Sequence, residues 1–219
     1  MNATKKSSAQ ASEPRELYFA QWKPATNDLF DVNPESVLAE KVAEIAAAKT
    51  AGQALEVVDI GCGSGAVGRF LINFRPQLQI DGIDISLSLL ALAEQALRID
   101  GRPCYRDLLE CDLRKPLYYA ANHYDVLVSA GLFTPGLLGA SDLVAMVQSV
   151  KPRGQIIVGI DQSHFDNAAF KIVLREAVWS ETITEPLYTE VDVYHPSSKN
   201  FGVKALIAQF SKVPTLNDL

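Results

Sequence analysis

Apolar positions along the chain follow two alternating spacings. Residues 55–60 (LEVVDI), 79–85 (QIDGIDI), 124–130 (YDVLVSA) and 155–160 (QIIVGI) are short apolar runs of strand length, and a further strand is expected near 106–111. Between these runs the apolar residues recur three or four apart. Leu38, Val42, Ile45 and Ala46 form one such set, and Val67, Phe70, Leu71 and Phe74 a second. Leu89, Leu92, Ala93, Ala96 and Leu97 follow; then Leu143, Met146, Val147 and Val150; then Phe170, Val173, Leu174, Ala177 and Val178. That is the helical period, so each set predicts an amphipathic helix. Asn33-Pro34, Ser86 and Ser141 are placed to begin three of them. Near the C-terminus the pattern changes: 187–194 and 202–211 read as two successive strands joined by the turn-rich HPSSKNFG. Strands alternating with helices predict an α/β, doubly wound, seven-stranded sheet, mostly parallel, with an antiparallel C-terminal strand pair.

Residues 1–15 (MNATKKSSAQASEPR) are polar and aperiodic and read as a flexible tail; 16–219 read as a single domain. Within it, about 16–50 is expected to form an N-terminal helical lid. Its aromatic part, 17–30 (LYFAQWKPATNDLF), precedes the first core helix.

The chain has 219 residues, 48% hydrophobic and 21% charged, the balance of a globular protein able to bury a sizeable core. Its net charge is -6 and no basic run stands out, which argues against a nucleic-acid partner. No apolar stretch is long enough to span a bilayer, and the N-terminus lacks an apolar signal core. Cys62, Cys104 and Cys111 have neither framework nor metal spacing, so free thiols in a reducing cytoplasm are expected. The histidines and cysteines show no zinc-like spacing, so no metal is expected.

The strongest local signal is 57–68, VVDIGCGSGAVG, which passes from strand through a glycine turn into a helix. Such a turn brings backbone close to a ligand, and the helix start offers free N–H groups. Two frames overlap. Gly63, Gly65 and Gly68 satisfy the dinucleotide pattern GxGxxG, with Asp84 at the distance of a ribose-binding acid. Asp59, Gly61, Gly63 and Gly65 satisfy an acidic-x-G-x-G-x-G pattern. The second frame ends the strand at Ile60 and puts Asp59 at its carboxyl tip. A carboxylate there repels a pyrophosphate and attracts an ammonium group.

The run VVDIGCGSG resembles the first motif of class I S-adenosylmethionine-dependent methyltransferases, and the resemblance extends from roughly residue 35 to 211. GIDIS (82–86), ECDL (110–113), YDVLVSAGLF (124–133) and SVKPRGQIIVG (149–159) resemble the second-, third-, fourth- and fifth-strand motifs. Within the class, DL-x-x-PL (112–117) followed by YDVLVSAGLFTPG is similar to the group of the Williams–Beuren syndrome critical-region methyltransferase, which acts on small molecules. Lys151-Pro152-Arg153-Gly154 stands where such proteins often have KPGG, and is expected to be a surface turn. Pro135 stands where a histidine is usual.

The resemblance implies a Rossmann-like fold that binds S-adenosyl-L-methionine and releases S-adenosyl-L-homocysteine. Asp59, Gly61, Gly63 and Gly65 would cradle the methionine part. Asp84 with Ile85 would hold the ribose, and Asp112 with Leu113 the adenine. Ser129 and Trp22 complete the implied cofactor set. Tyr18 and Trp22 would close over the site, where aromatic faces suit a sulfonium. Phe133, Thr134 and the loop 131–139 (GLFTPGLLG) would line the acceptor chamber, with His164 at the same edge. A sulfonium methyl is already activated, so proximity carries most of the rate; His164 and Tyr18 are the candidate bases. His123 and His195 read as surface residues, Cys62 as a small residue in the turn, and Asp81 as structural or solvent-facing.

The expected acceptor is a small molecule, and oligomeric state is open. One alternative is a protein of the same fold that binds S-adenosylmethionine without methyl transfer. A remote one is an NAD(P)-dependent oxidoreductase, from the overlapping GxGxxG.

Overall fold

In a computed structural model, the described residues are 36–50, 55–115 and 121–216. They form α1 (Val37–Lys49), β1 (Glu56–Ile60), α2 (Ala66–Phe74), β2 (Gln79–Asp84), α3 (Leu87–Ala93) and β3 (Asp107–Glu110). There follow β4 (Tyr124–Phe133), α4 (Ala140–Met146), a 3-10 turn at Val147–Ser149, β5 (Val150–Asp161), α5 (Gln162–Asp166), α6 (Ala168–Trp179), β6 (Leu187–Asp192) and β7 (Lys204–Ser211). The seven strands run in the order β3-β2-β1-β4-β5-β7-β6. β1 lies parallel to β2 and β4, while β7 is antiparallel to both β5 and β6. The expected α/β sheet with an antiparallel terminal pair is therefore present. Strand order reverses between β1 and β4, the position where such sheets open a crevice at their carboxyl ends.

Each face of the sheet carries its own core. Val57, Ile80, Val126 and Ile157 pack against Leu38, Val42 and Ala46 of α1, Leu71 of α2 and Leu90 of α3. Val58, Ile60, Leu127 and Ile156 pack against Leu143 of α4 and Phe170 and Leu174 of α6. Neighbouring β1 residues thus enter opposite cores, as the period of two requires. Burying an aliphatic side chain of this size contributes roughly 1.5–3 kcal/mol.

Several boundaries differ from expectation, each for a local reason. α1 is capped by Ser36, whose hydroxyl accepts from the Ala39 amide; the proposed Asn33-Pro34 start lies outside the described residues. The described part of the expected lid, Val37–Lys49, is a core helix: α1 sits so close to β5 that a side chain at Gly159 would strike Leu38 at 2.8 Å. Ser141 does not cap α4; Gly139 precedes that helix and donates its N–H to Asp142 (2.8 Å). The helix expected to carry Ala96 and Leu97 ends at Ala93, and Arg98 turns back to the Pro76 and Pro103 carbonyls. Lys151–Gly154 is no surface turn but part of β5. The register with β4 slips there, Arg153 takes φ +66, and Gly154 lies against Val150 and the Asp125 carbonyl with no room for a side chain.

Candidate active site

The glycine turn follows β1. The N–H groups of Gly61 and Cys62 both donate to the Ile83 carbonyl of β2 (2.7 and 3.1 Å), which pins the turn to the neighbouring strand. Gly63 has φ +54, and a side chain built there would meet none of the described residues within 4 Å. It is the point at which the turn's backbone faces open space. Its N–H donates to Asp84 Oδ2 at 2.9 Å, and the Ser86 N–H donates to Oδ1 at 2.9 Å. Asp84 ends β2 largely buried, and burial raises its pKa against the pull of those amides.

Asp59 is fully buried at the penultimate position of β1. Its Oδ2 accepts the Tyr105 hydroxyl at 2.7 Å, while Oδ1, equally buried, has no hydrogen-bond partner among the described residues. Burial raises its pKa to about 7; the Tyr105 hydrogen bond and, less strongly, the Gly68 amide work against that rise, and the nearby Asp84 charge adds to it. A buried carboxyl oxygen without a donor carries a desolvation penalty that a ligand donor would relieve.

Tyr105 was not legible as a site residue, yet much of the turn is built round it. Its hydroxyl accepts the Gly68 N–H at 3.2 Å, in the first turn of α2, where the N-cap Gly65 offers no side-chain oxygen. A side chain at Gly68 would meet the phenol at 2.4 Å, one at Gly65 at 2.9 Å and one at Gly82 at 3.0 Å. The third glycine of the GxGxxG frame is therefore small to admit a tyrosine. The available hint was a glycine inside a helical pattern, at position 68, a residue that needs a packing reason. Burial raises the Tyr105 pKa well above its usual value, so the phenol is a donor here. Cys62, between the acids, is buried and its thiol is pushed up by burial and by both carboxylates, so it is no nucleophile.

The other expected residues fall into three places. Asp112 and Ile85 stay near the carboxyl ends of the strands and are half-buried. Asp112 is engaged by its own neighbour, accepting from Arg114 Nε and Nη2 at 2.9 Å each, which holds its carboxyl below the usual range. Leu113, Ser129 and Phe133 lie within the interior. Ser129 is fully buried and donates to the Ile60 carbonyl at 2.8 Å, locking β4 to β1. Phe133 is fully buried and meets Phe170 edge-on, because β4 continues three residues beyond the expected end and carries this side chain into the core. Thr134 is half-buried just after β4. His164 on α5 donates through Nε2 to the Leu138 carbonyl at 2.9 Å, since a carbonyl only accepts, and stacks edge-on with Phe170. It ties the loop after β4 to α5. Tyr18 and Trp22 lie outside the described residues.

Among the described residues, no group of three His, Cys, Asp or Glu could hold a metal ion. No described helix is long and apolar enough to cross a membrane.

Residues 57–154 match the family described as methyltransferase domain. A malonyl-acyl-carrier-protein O-methyltransferase from Halalkalibacterium halodurans is 31% identical over 104 residues, covering 46% of this chain; the chain spans 37% of that relative's length. A structure described as an RNA methyltransferase from Pyrococcus horikoshii superposes with TM-score 0.59 at 13% identity, covering 80% of this chain and 84% of that one. The [4+2]-cyclase SpnF superposes with TM-score 0.59 at 16% identity, covering 80% and 82%. At such identities the structural likeness speaks for the fold, which is the Rossmann-like fold of class I methyltransferases.

Proposed function

We propose that this protein is an S-adenosylmethionine-dependent methyltransferase acting on a small-molecule acceptor. The observation that carries the reading is the pairing at the tip of β1: a buried Asp59 oxygen without a donor among the described residues, beside a Gly63 backbone that none of them covers. The residues present fit the cofactor. Asp59 Oδ1 suits an ammonium group, the open backbone at Gly63 suits the amino acid part, and Asp84, held by two amides, keeps lone pairs for ribose hydroxyls. Asp112 and Ile85, half-buried just beyond β3 and β2, would serve the adenine side.

The cofactor, when bound, supplies a methyl group already activated on a sulfonium. The chain then has to orient it, align the acceptor and exclude water. With His164 Nε2 donating to Leu138, Nδ1 is the atom available to take a proton from a protonated acceptor. The net charge of -6 supports a small acceptor over a nucleic acid. The finer likeness to the Williams–Beuren group rests on the 112–117 and 124–136 motifs, and the three free cysteines suit a cytoplasmic location.

The dinucleotide alternative is weakened, since Tyr105 fills the space at Gly68 and the Asp59 carboxylate would oppose a pyrophosphate. A second reading keeps the cofactor without methyl transfer, and the cyclase among the structural neighbours supports it as chemistry this fold can host.

Calorimetric titration with S-adenosylhomocysteine tests the proposal. We expect micromolar binding, weakened at least 30-fold by Asp84→Ala, a loss of about 2 kcal/mol. Failure to bind either S-adenosylmethionine or its demethylated product would overturn it. Binding without turnover on a broad acceptor panel would favour the second reading.

A further inference from the structure

The Asp59 carboxylate is held by one residue distant in sequence. Tyr105 precedes β3, and its ring occupies a slot whose walls are three glycines from three elements: Gly65 at the turn, Gly68 in α2 and Gly82 in β2. A side chain at any of the three would come within 3.0 Å of the ring. The hydroxyl at the end of this slot accepts from the Gly68 amide and donates to Asp59 Oδ2. One phenol therefore fixes the first turn of α2, the orientation of the carboxyl group and the choice of which carboxyl oxygen is left over.

We infer that Tyr105 is a positioning residue for the cofactor's amino group: by occupying Asp59 Oδ2 it reserves the buried Oδ1 for that ammonium and favours the ionised carboxyl that can bind it. This inference rests on the methyltransferase reading above.

The chemistry follows from donor counting. A carboxylate accepting a hydrogen bond is stabilised relative to its protonated form, and Tyr105 is the side chain that donates to Asp59. Among the described residues, the ionisable groups that act on Asp59 are Tyr105 and Asp84 at the end of β2, with the Cys62 thiol in the turn beside them and the Gly68 amide adding to the phenol's pull. The Cys62 thiol is pushed up and stays neutral, and Asp84 opposes ionisation, so the phenol is the stabilising member of the set. Without its hydroxyl, Asp59 would take a proton at a higher pH and lose its attraction for an ammonium. Such coupling predicts that affinity rises with pH between 5.5 and 7.5, where the ligand's amine stays protonated, and that Tyr105 sets where the rise occurs.

The test compares wild type with Tyr105→Phe, which keeps the ring in its slot and removes only the hydroxyl. S-adenosylhomocysteine affinity is measured across that pH window, and the Asp59 carboxyl is followed by carbon-13 NMR in the unliganded protein. Wild-type affinity should rise with pH. In the variant, binding should be about tenfold weaker near neutral pH and the Asp59 midpoint about one pH unit higher. An Asp59 midpoint that does not move, or two superimposable affinity profiles, would overturn the inference. A wild type that binds no S-adenosylhomocysteine at any pH overturns the methyltransferase reading instead, and the Asp59 titration distinguishes that failure. Should the Phe variant not fold, the Tyr105 ring carbon bearing the hydroxyl in wild type must titrate with the Asp59 midpoint; a flat signal there is equally fatal.

Discussion

Asp59 and Asp81 are two buried carboxylates on adjacent strands, one register step apart: Asp59 lies opposite Gly82, and Asp81 opposite Val58. They face opposite sides of the sheet and each accepts from a tyrosine, yet their surroundings differ sharply. Asp81 is bound by Arg106 through Nε (2.9 Å) and Nη2 (2.7 Å) and by the Tyr124 hydroxyl (3.0 Å). That arrangement neutralises its charge and joins β2 to the approach of β3 and to β4. Asp59 has Tyr105 on one oxygen and, among the described residues, no donor on the other. Burial penalises any carboxylate, and a structural one is compensated until no acceptor is left over. A carboxylate left short persists where binding a ligand will complete it. The number of donors, more than burial or residue type, separates the structural acid from the one proposed to meet the cofactor.

Breaking the saturated partner should have the largest effect. Arg106→Ala leaves Asp81 buried with only the Tyr124 hydroxyl and should destabilise the fold by about 3 kcal/mol in a denaturant melt. S-adenosylhomocysteine affinity should be unchanged wherever the variant remains folded. A comparable loss of affinity would mean the two acids are not separate in role. Gly68→Ala forces a methyl against the Tyr105 ring, and we expect a loss of about 2 kcal/mol together with weakened cofactor binding. Retention of both would show that the slot has slack the close contacts deny.

Asp59→Asn sharpens the comparison through its sign. With the folded pKa raised to about 7 from an ordinary value near 3.8, proton binding favours the folded state fully below the unfolded pKa, and that contribution is lost as pH rises through 7. The neutral variant should therefore match wild type only near pH 3, draw ahead of it between pH 4 and 7, and be the more stable of the two at pH 8 by at least about 2 kcal/mol, while losing cofactor affinity. Equal melting temperatures at pH 8 would contradict an uncompensated carboxylate. The smallest effect is expected for Ser129→Ala, about 1 kcal/mol, from the lost bond to Ile60. Ligand affinity should not move; a large drop would restore Ser129 to the cofactor set implied by the family resemblance.

The legible part of the site was local. VVDIGCGSG joins a strand, a turn and a helix within a dozen residues, so alternation, glycines and an acid at the strand tip could be read directly. Asp84 was legible for the same reason, since it ends the next strand one short helix away. What escaped was non-local or concealed by continuous apolar character. Tyr105 lies 46 residues from Asp59, and no periodicity links the two. Phe133 and Ser129 looked site-facing because they lie in the carboxyl half of the fourth-strand motif. The extension of β4 and the slipped register at Lys151–Gly154 depend on which strand lies alongside, so no property of those residues alone announced them.

By itself, the sequence determined the order of strands and helices, the glycine turn after the first strand and the two acids placed beside it. Periodicity and turn chemistry act between near neighbours and need no knowledge of the rest of the chain. Only the tertiary structure decided which carboxyl oxygens would be satisfied. A hydrogen bond is fixed by distances of a few ångströms between strands remote in sequence, and the glycines that admit Tyr105 take their meaning from the ring packed against them.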